Sequence, residues 1–217
     1  MNHVSFATQK KPVRTVGVLI FPGVEVLDMC GPIEIWGNLK DQIKVVTVAA
    51  KKGEIVSGQS LKMVADYCLS DCPSIDLLLV SGGFGVATVL SEKETLDWIK
   101  ARAARAELTM SVCNGASILA AAGLLDGRPA TTNKAFWDMA TAAGPNVKWV
   151  RQARWVDDGN IVTSSGVSAG MDMTLHVIDR LFGTKRAERI ANTIEYEWHR
   201  DSTWDPFSKL PSRGQKK

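Results

Sequence analysis

Histidine is scarce in this chain: there are three in 217 residues, His3, His176 and His199. They lie far apart and do not fall at zinc-ligand spacing with the cysteines, so no metal site and no metal chemistry is expected. The four cysteines, Cys30, Cys68, Cys72 and Cys113, show no disulfide framework. Cys68 and Cys72 are separated by three residues rather than the two of a redox motif, and they read as small half-buried hydrophobes. A chain of this length can bury a core without covalent staples, which points to a reducing cytoplasm. No apolar run reaches the ~18 residues a membrane span needs, and the first dozen residues lack an apolar signal core. The net charge is only +3, and much of it sits in the last nine residues, so nucleic acid is not an expected partner. These absences leave one globular domain over residues 13–207, with a flexible N-terminus at 1–12 and a basic flexible tail at 208–217.

What the chain does contain is an abrupt corner. From Glu107 to Leu125 it reads ELTMSVCNGASILAAAGLL: an apolar run that ends at Cys113, then Asn-Gly, then an Ala- and Leu-rich stretch suited only to helix. A cysteine between a strand end and a helix start meets converging backbone N–H groups and the positive end of the helix dipole, both of which favour thiolate. The same strand-to-helix corner is the geometry of a nucleophile elbow. Cys113 is the expected nucleophile.

Elsewhere, strands and helices alternate. Residues 13–21, 43–50 and 75–81 read as buried strands, and 53–67 as short strands around a turn. A helix is expected to start near Pro32, where proline suits the first turn, which leaves Asp28 in a loop just ahead of it. Helices are expected over 92–106, from Thr131 with Thr132 or Asn133 as cap, within 165–182 and over 185–197. Residues 147–156 and 161–164 read as a hairpin. The glycines around Phe84 (Gly82, Gly83, Gly85) form half a dinucleotide fingerprint but lack the third glycine and the later acid, so they read as a tight turn. Asp172 reads as a helix anchor, and Trp137 as a wall of the pocket. The pattern predicts an α/β fold with a largely parallel sheet covered by helices on both faces. Its strand ends bring Asp28, Gly82–Gly83 and Cys113 to one edge.

These motifs, taken in order, resemble the ThiJ/PfpI superfamily, the class I glutamine amidotransferase-like fold, and most of all its isonitrile hydratase branch. The matching residues are Phe21-Pro22, Leu27-Asp28, Gly31-Pro32, 81–85 (SGGFG), 111–115 (SVCNG), 122–125 (AGLL), 130–133 (ATTN) and 163–172 (TSSGVSAGMD). The resemblance implies a flavodoxin-like three-layer sandwich, assembled as a homodimer and working without a cofactor. It implies that Cys113 is the elbow cysteine in strained backbone and that Asp28 is its acidic partner. It also places the oxyanion-hole N–H groups at Gly83 and Asn114, with Gly82, Phe84, Asn133 and Trp137 around the substrate. Two departures stand out. Asn114 replaces a common threonine, and Asn133 stands where many relatives have histidine, which removes the base for Cys-His amidase or glyoxalase chemistry.

A thiolate beside a carboxylic acid suits addition of water to a small isocyanide through a Cys113 thioimidate, giving an N-substituted formamide. Burial and the neighbouring thiolate would keep Asp28 protonated for this role. The competing readings are a stress or redox sensor using the same thiol, a glyoxalase- or deglycase-like enzyme, and the sensor half of a transcription regulator. The last ranks lowest, since no basic recognition helix is present.

Overall fold

The computed structural model describes residues 13–213. The expected loose ends at 1–12 and 214–217 lie outside them, as does His3. The chain opens with β1 (Arg14–Leu19), α1 (Val26–Gly37) and β2 (Ile43–Ala49), followed by the short strands β3 (Glu54–Val56), β4 (Lys62–Val64) and β5 (Tyr67–Cys68). It continues through β6 (Leu77–Val80), α2 (Val86–Val89), α3 (Lys93–Ala103), β7 (Leu108–Ser111) and α4 (Gly115–Ala121). Next come β8 (Pro129–Ala130), α5 (Trp137–Ala142), β9 (Lys148–Trp149), the pair β10 (Trp155–Asp158) and β11 (Ile161–Ser164), then α6 (Ala169–Phe182) and α7 (Thr184–Thr193).

Seven strands form one sheet in the order β10-β11-β7-β6-β1-β2-β5, parallel except for the β10–β11 hairpin. From β1 the chain builds outward to β2 on one side, and later to β6 and β7 on the other. Right-handed crossovers running in opposite directions put their helices on opposite faces. Accordingly α1 packs with α6, which in turn packs with α7, while α4 packs with α2, α3 and α5. Every residue of β6, β7 and β11 is buried, as expected for strands covered on both sides. The reversal between β1 and β6 opens a crevice at the C-terminal strand ends, where sites form in such sheets. Among the described residues, no helix is long and apolar enough to cross a membrane.

Four local expectations need correction. Helix α1 starts at Val26, not near Pro32, so Asp28 lies in its first turn and Pro32 in its interior. An interior proline costs about 3 kcal/mol. Full burial of Ile35 and Trp36 on the same face offsets it at about 1.5–3 kcal/mol each. Helix α5 begins only at Trp137: the Thr132 hydroxyl is spent on the Cys113 carbonyl, and Asn133 Oδ1 accepts the Phe136 N–H one turn too early. The first arm of the expected hairpin shrinks to β10, because Lys148–Trp149 pairs with β8 instead. Finally, residues 208–213 pack back onto the domain. Ser208 and Ser212 are buried, and the Arg151 guanidinium donates to the carbonyls of Ser208 and Leu210 at 2.8 and 2.6 Å. The charge of this segment suggested a solvated tail, but the groups that anchor it lie sixty residues upstream.

Candidate active site

Cys113 sits between the end of β7 and the start of α4 with φ +58°, the left-handed region that a non-glycine residue enters at a cost of roughly 1–2 kcal/mol. Two bonds hold it there: its N–H donates to the Ser165 carbonyl at 3.0 Å, and its carbonyl accepts the Thr132 hydroxyl at 2.9 Å. The α4 turn can press against the sheet because residue 115 is glycine; a Cβ there would lie 2.4 Å from the Val80 carbonyl oxygen.

Asp28, fully buried in the first turn of α1, accepts the Gly82 N–H on Oδ2 at 2.9 Å. Its Oδ1 is buried without a hydrogen-bond partner. Leaving a buried carboxylate oxygen unpaired is costly, whereas a protonated carboxyl is not so penalised. Burial accordingly raises Asp28 from the usual 3.8 to about 7; Glu25 adds to the rise, while the Gly82 N–H and the Cys113 thiol oppose it. Gly82 supports this geometry from below rather than lining the cavity. A Cβ on it would meet Asn114 Oδ1 at 2.3 Å and Asp28 Oδ2 at 2.9 Å.

The Cys113 thiol does not follow the elbow expectation. Burial and the adjacent Asp28 charge push it well above its ordinary range, against the pull of the Asn114 N–H, the Val167 N–H and the Asn133 side chain. The dipole of the following helix favours thiolate, but Cys113 is buried, with 5% of the residue exposed, and burial favours the thiol. Burial and the Asp28 charge both favour thiol over thiolate, and Cys113 and Asp28 titrate as a coupled pair.

The groups that favour charge on the sulfur also differ from expectation. Gly83 N–H is already spent on Asn114 Oδ1 at 2.8 Å, and Asn114 Nδ2 returns a bond to the Gly83 carbonyl at 3.1 Å. The Asn114 side chain thus locks the Gly82–Gly85 turn. The donors at the sulfur are instead the N–H groups of Asn114 and Val167 with the Asn133 side chain. Val167 has φ +39°, a conformation that a β-branched residue rarely adopts. No sequence signal marked it.

A cavity of about 60 Å³ opens above the sulfur, lined by Glu25, Gly83, Phe84, Cys113, Asn114, Asn133, Phe136, Met139 and Val167. Trp137 is not among these residues, contrary to expectation. Its ring lies edge-on to Trp149 at 6.2 Å and under the Arg151 guanidinium at 5.0 Å. Phe136, just ahead of α5, and Met139, in its first turn, line the cavity in place of Trp137. Asp172 is fully buried in an ion pair with Arg154, and it also accepts Tyr196 Oη–H and the His199 N–H, both at 3.0 Å. Cys30 is half-buried, its thiol pushed up by burial, and it does not line the cavity. Among the described residues, no group of His, Cys, Asp or Glu side chains is gathered as a metal site requires.

Residues 14–180 match the DJ-1/PfpI family. The chain belongs to that family. It is 36% identical over 182 residues to an isonitrile hydratase of Pseudomonas putida, covering 83% of this chain and 78% of that enzyme. It is 26% identical to an HTH-type transcriptional regulator of Pseudomonas aeruginosa, of which it spans about half, 52%. In three dimensions it resembles a ThiJ/PfpI family protein from Pseudomonas syringae, with a TM-score of 0.80 and 31% identity over 92% of this chain and 81% of that one. A DJ-1β structure from Drosophila melanogaster, 20% identical with a TM-score of 0.75 over 86% of this chain and all of that one, shares the fold. The flavodoxin-like α/β architecture is that of the DJ-1/PfpI family.

Proposed function

We propose that this protein is a cysteine-dependent hydratase that adds water to an isocyanide, R–N≡C, and releases the N-substituted formamide. The observation that carries the reading is the buried pair of Cys113 and Asp28, with the carboxyl raised to about 7 and one of its oxygens left unpartnered. The likeness to an isonitrile hydratase over most of both chains supports it. Further support comes from the engagement of the described histidines away from the cavity. His176 Nε2 pairs with Asp157 Oδ2 at 2.8 Å, and the His199 ring stacks on Trp204 at 4.2 Å. With Asn133 in place of histidine, the base for amide or glyoxal chemistry is missing from the cavity.

Above its first titration the pair holds one proton. When that proton sits on Asp28, the Cys113 thiolate attacks the terminal carbon, forming an S–C bond, and Asp28 delivers the proton to that carbon. The product is the thioimidate R–N=CH–S. The Asp28 carboxylate then draws a proton from water as its oxygen bonds to the same carbon, and this proton is passed to nitrogen. The C–S bond breaks as the carbonyl forms, and the remaining water proton returns to the pair. General acid–base help of this kind contributes ~10²–10⁴-fold. The Asn114 and Val167 N–H groups and the Asn133 amide steady the sulfur while it carries charge.

The enzyme is proposed to act as a cytoplasmic homodimer without a cofactor. The test is formamide production from methyl isocyanide by the wild type and by Cys113→Ala. The proposal expects turnover that disappears in the variant. Turnover that survives it, or no turnover together with ready oxidation of Cys113 by peroxide, refutes the hydratase; the latter result favours the sensor reading.

A further inference from the structure

The cavity is only about 60 Å³, small beside the ~300–1,000 Å³ of pockets that bury a whole drug-sized ligand. It suits a linear isocyano head and little more. Because the isocyanide is linear through carbon and nitrogen, a carbon held at the Cys113 sulfur points its substituent straight back out through the mouth. That mouth is apolar. Phe84 and Met139 are 68% and 56% exposed there, unusual for large hydrophobic side chains on a protein surface. The rings of Phe84 and Phe136 stand edge to face, 5.9 Å apart at 87°.

The C-terminal segment fixes this arrangement from behind. The Arg213 N–H donates to the Ala135 carbonyl at 2.6 Å, and its guanidinium lies over the Phe136 ring at 5.4 Å. Next to it, Ser212 Oγ accepts the Asp138 N–H at 3.2 Å at the start of α5. This segment lies beyond the residues that match the family, 14–180. The remaining rim residue, Glu25, carries negative charge, and its Oε2 accepts a bond from Gln59 Nε2 at 2.7 Å.

Building on the hydratase reading, we infer that Phe84, Phe136 and Met139 form a collar for the isocyanide substituent, and that residues 208–213 hold this collar in place. The preferred substituent is an uncharged aromatic or branched apolar group. Anionic substituents are disfavoured by Glu25. Phe136 touches the substrate and sets specificity. Arg213 is a positioning residue acting through it.

The experiment compares phenyl isocyanide with methyl isocyanide in the wild type, Phe136→Ala and Arg213→Ala. Loss of the aromatic wall is expected to raise KM for the phenyl substrate roughly tenfold and that for the methyl substrate by less, so that the phenyl-to-methyl KM ratio rises. Arg213→Ala is expected to give the same pattern at about threefold. A second measurement does not depend on isocyanide chemistry: the rates at which N-phenylmaleimide and N-methylmaleimide label Cys113, read from its peptide mass. The collar predicts a phenyl preference that falls in Phe136→Ala. If neither the KM ratio nor the labelling ratio changes, the collar is wrong. If the labelling ratio falls but no isocyanide gives a formamide, the collar stands and the hydratase reading fails.

Discussion

Two buried pairs of ionisable groups lie within one loop of each other, and they are built in opposite ways. Lys134 and Asp205 are both about 2% exposed and lie 3.2 Å apart. The three N–H groups of the Lys134 ammonium have Thr131 Oγ1, the Thr132 and Ala153 carbonyls and Ser165 Oγ as acceptors within 2.8–3.2 Å, besides Asp205. Asp205 Oδ2 also accepts the Ser165 hydroxyl at 3.1 Å. Cys113 and Asp28 have an unpartnered carboxyl oxygen and backbone in a disfavoured region. The first pair has its hydrogen bonds met; the second leaves one carboxyl oxygen without a partner. A satisfied network rigidifies its surroundings, and an unsatisfied one stores reactivity.

The comparison can be broken most forcefully at Asp28. Asp28→Asn should lower kcat/KM for an isocyanide by roughly 10²–10⁴-fold, since an amide cannot relay the proton. The same change should stabilise the fold. A carboxyl whose folded pKa is raised stabilises at low pH, and that contribution is lost as pH climbs from the unfolded value, near 3.8, through about 7. At pH 8 the variant should therefore melt higher than wild type, by an amount on the order of 5 °C, with the gap closing near pH 4. A variant that melts lower at pH 8 would mean the carboxylate is at ease where it is.

Lys134→Met attacks the satisfied pair. It strands the Asp205 charge and should cost about 3–5 kcal/mol in urea unfolding, far more than exposed ion pairs yield. An unchanged unfolding midpoint would erase the distinction drawn between the two pairs.

A gentler probe is the pH profile. Turnover needs the one-proton form of the Cys113–Asp28 pair, so kcat/KM should rise with pH through about 7. Glu25 raises Asp28 by its charge, so Glu25→Gln should move that acid limb to lower pH, by less than about one unit. A limb that stays in place would remove Glu25 from the electrostatics of the pair.

Periodicity and turn chemistry were enough to read the alternating fold and to gather Asp28, the Gly82–Gly83 turn and Cys113 on one sheet edge. These features depend on local pattern and on parallel-sheet topology. The start of α1 was misplaced because the packing of its buried face against α6 overrode the positional preference of Pro32. The expected wall at Trp137 gives way to Phe136 and Met139, because the bonds of Thr132 and Asn133 decide how the chain enters α5 and no local pattern displays them. Val167 and the ordered segment to Arg213 left no local trace, since each is defined by what it touches across the fold. The helix dipole and converging N–H groups favour thiolate at Cys113, but burial, which no local pattern displays, works against them and is the larger influence.

The left-handed backbone of Cys113 has a practical corollary for anyone engineering this chain. Glycine at that position would sit there without strain, as asparagine at 28 would sit without an awkward charge. A screen that rewards heat resistance alone would therefore drift toward both replacements and collect hardy, inert catalysts-in-name. Selection for robustness has to be coupled to product formation at every round.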